Sequence, residues 1–263
     1  MSLPIILPTI DAVRRAVAEA RSRGQRVGLV PTMGALHDGH RKMIETARLE
    51  YDFVVVSIFV NPTQFGPNED FAKYPRALEA DCKLCGDAGA HAIFSPHADE
   101  IYPPGFRTFV EVEGLQDVLC GASRPGHFRG VCTVVSKLLN IVQPDVAFFG
   151  QKDAQQSLII RRMVRDLDIP VEIRTVPTVR EADGLALSSR NVYLSPEERR
   201  RAPALDRSLQ NAATMIAGGE RDPAAVEKAI RAQLTAVAGL RIDYVHAVSA
   251  DTLVRLPICW GLR

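Results

Sequence analysis

The most constraining feature of this chain is a strand-length run that is apolar on both faces. Phe53-Val54-Val55-Val56-Ser57-Ile58-Phe59-Val60 shows no polar alternation, so the strand it forms must be covered on two sides. Such strands sit at the centre of parallel sheets. Further strand-length segments fall at 26–30, 92–94, 108–112, 146–149 and 171–176, and segments of helical period separate several of them. Met43, Ile44 and Ala47 give one apolar face to a crossover helix, which the right-handed rule returns across the sheet. Val131, Val134, Val135, Leu138, Leu139 and Val142 predict a long helix ending before Gln143-Pro144-Asp145, and another covers roughly 155–167. The alternation predicts an α/β fold: a parallel sheet flanked by helices.

After Val179 the texture changes. Arg180-Glu181-Ala182-Asp183-Gly184 is polar and turn-like, and the remaining residues are mostly of helical pattern. Ser195-Pro196-Glu197-Glu198 combines an N-cap, a first-turn proline and a glutamate at the third position, and Asp222-Pro223 opens another helix. Residues 242–248 read as a strand. We therefore expect a larger domain over 1–178 and a smaller α+β domain over 179–263.

Composition bounds the function. There are 32 basic and 31 acidic side chains, for a formal net charge of +1, which argues against a broad basic surface for duplex nucleic acid. A small basic pocket for a phosphorylated ligand remains compatible with that balance. No apolar run approaches the roughly 20 residues of a membrane span, and Met1-Ser2-Leu3-Pro4 has no basic lead-in to an apolar core, so a cytoplasmic protein is expected. Five cysteines do not make a disulfide framework. Cys82 and Cys85 have metal-site spacing but no second pair, and read as one turn of a helix. Cys120, Cys132 and Cys259 read as small buried hydrophobes.

The first strand runs into Pro31-Thr32-Met33-Gly34-Ala35-Leu36-His37-Asp38-Gly39-His40, with a helix beginning near His40. Two glycines and a helix N-terminus at the carboxyl end of a central strand attract phosphate. His37 and His40 are three apart and can face that phosphate together, donating hydrogen bonds or stabilising charge as pyrophosphate leaves. A turn capped by Asp38, with two exposed histidines, is the plainer alternative. Two of the chain's six histidines bracketing Asp38-Gly39 favour function. Asn61 and Gln64, just beyond the second strand, lie in the expected ligand crevice, where neutral amides can bind hydroxyl and carboxylate groups. Lys152 is conspicuous because the chain has 6 lysines (32 basic residues less 26 arginines), and it stands between Gly150 and Asp153 at another strand-to-helix turn. Ser188-Ser189-Arg190 offers two hydroxyls and a permanently charged fork to a polyphosphate. His127 and Arg129 lie in a glycine-bounded loop, where assisting the pocket and forming a structural turn are equally good readings.

The His37-Asp38-Gly39-His40 element resembles the signature of the nucleotidyltransferase superfamily. Four further motifs narrow the resemblance: Phe59-Val60-Asn61-Pro62-Thr63-Gln64-Phe65, Gly121-Ala122-Ser123-Arg124-Pro125-Gly126-His127-Phe128-Arg129-Gly130-Val131, Phe149-Gly150-Gln151-Lys152-Asp153-Ala154-Gln155-Gln156 and Asp183-Gly184-Leu185-Ala186-Leu187-Ser188-Ser189-Arg190-Asn191. In this order they resemble the pantoate–beta-alanine ligase family over roughly residues 5 to 255. The resemblance implies a Rossmann-like sheet with a C-terminal lid domain, a homodimer, and ATP and magnesium as reactants. It assigns Met33, Gly34, Ala35, Leu36, His37, Asp38, Gly39, His40, Gly150, Gln151, Lys152, Asp153, Val179, Leu187, Ser188, Ser189 and Arg190 to ATP. His40, His37 and Lys152 take the catalytic roles, Asn61, Gln64 and Gln156 bind pantoate, and Gln64 also binds beta-alanine. Asp81, near Tyr74-Pro75-Arg76, is the implied magnesium ligand.

The implied reaction proceeds through pantoyl adenylate and releases pyrophosphate and AMP, with small molecules as the partners and no nucleic acid or membrane involved. Two departures from the family pattern stand out. Gln151 replaces a common glutamate, which predicts altered local charge rather than lost binding. The chain also stops at Ile258-Cys259-Trp260-Gly261-Leu262-Arg263 where relatives typically continue through an apolar strand, so the packing of the last strand is expected to differ. The alternatives are another nucleotidyltransferase, such as a nicotinate-mononucleotide or phosphopantetheine adenylyltransferase, and a non-catalytic nucleotide-binding regulator. Neither accounts for the Asn61-Pro62-Thr63-Gln64 amides together with both phosphate motifs.

Overall fold

The computed structural model describes residues 3–256. Six parallel strands form one sheet: β1 (Ile5–Leu7), β2 (Val27–Thr32), β3 (Phe53–Ile58), β4 (Ala92–Phe94), β5 (Val146–Gly150) and β6 (Glu172–Val176), in the spatial order β1-β4-β3-β2-β5-β6. Helices α1 (Ile10–Ser22), α2 (Asp38–Glu50), α3 (Leu78–Asp87), α4 (Ala98–Ile101), α5 (Cys120–Ser123), α6 (His127–Val142) and α7 (Ala154–Asp166) fill the connections. α8 (Pro196–Arg201), α9 (Ala204–Ala217) and α10 (Pro223–Thr235) come after the sheet.

Every residue of β3 is buried, as its continuous apolar character requires. Successive side chains go to opposite sides. Phe53 and Val55 join one core with Val13 and Val17 of α1, Leu138 of α6 and Ile160 of α7; Val54 and Val56 join the other with Met43, Ile44 and Ala47 of α2 and Cys85 of α3. A sheet covered on both faces exposes ligand-accessible backbone chiefly at the strand ends. The chain leaves β2 toward β3 on one side and later returns to place β5 on its other side. That reversal opens a crevice at the carboxyl ends of β2 and β5, the place where open α/β sheets bind ligands.

Two expected strands are not strands. Over 108–112 the chain donates Val110 N–H to Thr133 Oγ1 (3.1 Å) and Val112 N–H to Gln116 Oε1 (3.3 Å), so side chains take the ladder's donors. Residues 242–248 make one isolated bridge, Val248 to Arg255. There Arg231 binds the Val245 carbonyl (3.1 Å) and Glu227 accepts from Ala247 N–H (2.9 Å), while Val245 packs with Ala204 and Leu234 in a separate small core. Among the described residues, the part after residue 178 is helical with isolated bridges. The helix starts are as expected. Ser195 Oγ accepts from Glu198 N–H (3.3 Å) while Glu198 accepts from Ser195 N–H (2.8 Å), and Asp222 caps α10.

Cys82 and Cys85 lie on α3, and Cys85 is buried with its thiol pushed up to about 12, a hydrophobe rather than a redox group. Cys132 is buried and Cys120 half-buried. Cys259 and the expected final strand lie outside the described residues.

Candidate active site

The loop after β2 makes the sharpest local demand on the chain. Gly34 has φ +84° and Ala35 φ +51°, two successive left-handed residues, the second without glycine's freedom. Asp81, from α3 and 3% exposed, accepts from Ala35 N–H (3.0 Å) and Leu36 N–H (2.7 Å) and holds that shape. A Cβ at Gly34 would come within 2.9 Å of Asp81 Oδ2, so the glycine also makes room for the carboxylate.

The same loop delivers two histidines in a reciprocal cap. His37 Nδ1 accepts from Gly39 N–H (3.1 Å), and His40 Nδ1 accepts from His37 N–H (3.2 Å), so His37 rather than Asp38 caps α2. Their ring centroids are 4.1 Å apart. Burial lowers both imidazoles, His40 to about 3, with positive Lys152 adding to the effect. Both are neutral near pH 7. With each Nδ1 accepting, each ring's proton sits on Nε2, leaving a neutral N–H donor to offer an anion.

Asn61 (1% exposed) and Gln64 (9%) occupy the turn after β3. Asn61 Nδ2 donates to Gln64 Oε1 (3.0 Å) and to Gly130 O (3.1 Å). His127 spans Gln64 O (2.8 Å) and Arg124 (3.0 Å); because arginine can only donate, its Nε2 accepts and its Nδ1 donates. Gly130 lets α6 approach this turn, since a Cβ there would lie 2.3 Å from Thr63 O.

One cleft gathers these groups. It is lined by His37, His40, Asn61, Gln64, Lys152 and Arg190, and also by Met33, Gly39, Gly150, Asp153, Gln156, Val179, Leu187, Ser188 and Ser189. Of the expected site residues, Gly34, Ala35, Leu36, Asp38, Asp81 and Gln151 do not line it. Asp81, the expected magnesium ligand, lies beneath the loop with both oxygens engaged by backbone amides. Asn61, expected on pantoate, lines the cleft with its oxygen and both amide protons on protein partners. Arg129 pairs instead with Glu111 (3.0 Å) and lies over the Phe109 ring.

Several lining residues carry no sequence expectation: Thr32, Tyr74, Arg124 and an apolar wall of Val131, Val134, Val135 and Leu138 from α6. The spacing on α6 predicts burial but does not say that one flank of the buried face meets a cleft. Arg124 stands in the glycine-bounded segment before α6, a signal that could have marked it. Its fork holds Glu69 at 2.6 and 2.7 Å, while Arg190 holds Asp70 at 2.8 and 2.9 Å.

The geometry is thus a neutral imidazole pair and a lysine at a strand-to-helix crevice, lining one cleft with a buried amide pair and apolar residues of α6. The profile of the family described as Pantoate-beta-alanine ligase matches residues 5–258. The chain belongs to the pantoate–beta-alanine ligase family. The pantothenate synthetase of Moorella thermoacetica is 62% identical over 248 residues, covering 94% of this chain and 88% of the relative. The crystal structure of pantothenate synthetase from Thermus thermophilus is similar at TM-score 0.92 and 50% identity, covering 97% of this chain and 91% of that one. The pantoate–beta-alanine ligase of Francisella tularensis, crystallised with beta-gamma ATP and beta-alanine, is similar at TM-score 0.74 and 36% identity over 88% of this chain and 86% of that one.

Proposed function

We infer that the chain catalyses the ATP-dependent condensation of (R)-pantoate with beta-alanine to pantothenate. The observation that carries the reading is the single cleft lined together by the His37/His40 donors, Lys152, Gln64 and Gln156. A pantoate carboxylate oxygen attacks the α-phosphorus of ATP, and the bond to the bridging oxygen breaks to release pyrophosphate. The amine of beta-alanine then attacks the acyl carbon, loses a proton, and expels AMP as the acyl–oxygen bond breaks.

His40 and His37 donate Nε2–H to phosphate oxygens as negative charge builds on the departing pyrophosphate. Because they are already neutral and fixed, they need no reorganisation to do so. Lys152 supplies the positive charge at the same edge, with Ser188, Ser189 and Arg190 on the polyphosphate and Gly150, Asp153, Val179 and Leu187 framing the nucleotide. Gln64 and Gln156 hold pantoate, whose apolar carbons fit the valine wall of α6, and Gln64 also meets beta-alanine.

Magnesium accompanies ATP as its counter-ion. Among the described residues no group of three His, Cys, Asp or Glu side chains could hold a metal, and Asp153 is the one carboxylate lining the cleft. Asp153 is the residue that would reach a magnesium ion carried by ATP, which would offset charge on the phosphates. Residues after 178 act as the lid that shelters the acyl adenylate from water. Among the described residues no helix is long and apolar enough to cross a membrane. The working unit is a homodimer, tested by a light-scattering mass of two chains.

The test is an assay of purified protein with ATP, pantoate and beta-alanine. AMP, pyrophosphate and pantothenate appear in equal amounts, and omitting pantoate abolishes all three. Pyrophosphate release without pantoate, or no product with every substrate present, overturns the reading.

A further inference from the structure

A side-chain amide has nearly the same shape either way round, so its hydrogen-bond partners decide which end a ligand meets. For Gln64 the decision is made outside the cleft. Asn61 Oδ1 accepts from Tyr102 OH (2.8 Å), Thr63 Oγ1 (2.9 Å) and Thr63 N–H (3.3 Å). Asn61 Nδ2 donates to Gly130 O (3.1 Å) and Gln64 Oε1 (3.0 Å). Reversing Asn61 would set its oxygen against the Gly130 carbonyl and its NH2 against Thr63 N–H, so these two backbone groups fix its orientation; the hydroxyls of Tyr102 and Thr63, which can donate or accept, hold the side chain in place. Gln64 Oε1 must then face Asn61. Gln64 Nε2 contacts the Met33 thioether at 3.0 Å, a weak acceptor, and keeps an N–H for the cleft.

Tyr102 comes directly after α4 and does not line the cleft. Its ring packs on Phe106 (5.0 Å between centroids) and Phe59 (6.2 Å), which places the hydroxyl independently of the hydrogen bond it makes. Thr63, on the turn itself, follows Asn61 when the turn moves. Tyr102, whose hydroxyl also meets Thr63 Oγ1 at 3.2 Å, therefore ties the position of the Asn61 side chain to the core.

We propose that Tyr102 is a positioning residue for the acid substrate: by anchoring the Asn61 side chain, it holds Gln64 where its amide N–H meets the cleft. The site thereby selects a ligand that presents an acceptor oxygen at that point. The identity of that ligand as pantoate rests on the function proposed above. No group in the relay changes charge, so the selection is a matter of geometry alone.

The test compares wild type, Tyr102→Phe, Gln64→Ala and the double variant by steady-state kinetics and by calorimetric titration of pantoate. Phenylalanine keeps the ring and removes only the hydroxyl. Loss of one such hydrogen bond weakens pantoate binding and raises its KM about 3- to 10-fold, with the KM for ATP changed less than about twofold. On the Gln64→Ala background the Tyr102→Phe change adds nothing, because the group it positions is gone. Thr63→Val removes the second hydroxyl on Asn61 and gives the same pattern should Tyr102→Phe fail to fold.

Equal pantoate binding with and without the Tyr102 hydroxyl overturns the relay, as does a matching rise in the KM for ATP or an additive double variant. The calorimetry separates this from the reaction. Pantoate binding that weakens in Tyr102→Phe, in a protein that makes no pantothenate, supports the relay and contradicts the function; failure of the wild type to bind pantoate overturns both.

Discussion

Arg190 grips Asp70 as a two-pronged fork, Nε to Oδ2 at 2.9 Å and Nη2 to Oδ1 at 2.8 Å. The pair ties the turn at Ser189–Tyr193 to the loop after Gln64, and Tyr74 OH on Ser189 Oγ (3.1 Å) reinforces it. Glu69, next in sequence, is held by Arg124 in the same way. Two adjacent carboxylates thus tether two of the cationic side chains that line the cleft.

These pairs predict a specific acid sensitivity. Hydrogen bonds from Arg190 and Arg124 hold Asp70 and Glu69 below their ordinary values of 3.8 and 4.5. A carboxylate depressed on folding contributes stability that is complete above its unfolded pKa and is lost as pH falls through the folded one. Below pH 4.5 the Tm of the wild type should therefore fall more steeply than that of a Glu69→Gln, Asp70→Asn double variant. Parallel Tm curves would show that the pairs are not stabilising.

His40 predicts the opposite of the usual histidine signature in a pH–rate profile. Burial lowers it to about 3, so it stays a neutral donor throughout the working range. The profile should show no limb between about pH 5 and 8 that disappears on replacing His40, and His40→Ala should cost about 10²- to 10³-fold in kcat. The unfolded chain takes up this proton near 6.5 and the folded one does not, so stability falls with acidification from about 6.5 toward 3. His40→Asn should flatten that part of the Tm curve. An acidic limb near pH 6.5 that His40→Ala abolishes would contradict the assignment.

Much of this was legible in the sequence, and the boundary of legibility is physical. The central strands announce themselves because both faces are buried, and the site loops because they follow those strands. β1 is three residues long with Ile5 and Ile6 half exposed, too short for a period to register. Residues 108–112 and 242–248 alternate as strands do, yet their backbone donors and acceptors go to Thr133, Gln116, Arg231 and Glu227, partners that no local pattern names. Asp81 serves a loop 45 and 46 residues upstream, and Arg124 holds a glutamate 55 residues away. Such roles exist only once the chain has folded.

Asp81 separates a loop anchor from a metal ligand. Asp81→Asn turns one of two acceptors toward Ala35 and Leu36 into a donor, which should destabilise the fold by about 2 kcal/mol and weaken ATP binding. A tenfold rise in magnesium should restore none of the lost activity. Recovery with added magnesium would return Asp81 to the metal.

Gly130 tests the contact between α6 and the amide turn. An alanine methyl would meet Thr63 O at 2.3 Å and Gln64 Cα at 2.6 Å, all backbone atoms that can yield only by moving the turn. Gly130→Ala should lower stability by about 1–3 kcal/mol and raise the KM for pantoate more than that for ATP. Unchanged kinetics in a folded variant would mean that the turn does not position the acid.

The central claim, that pantoate is activated at the α-phosphorus of ATP, is tested most directly by isotope transfer. Pantoate carrying 18O in both carboxylate oxygens is turned over with ATP and beta-alanine, and the products are weighed by mass spectrometry. The account predicts one labelled oxygen in AMP and one in pantothenate. Label in pyrophosphate or inorganic phosphate, or AMP free of label, would contradict it.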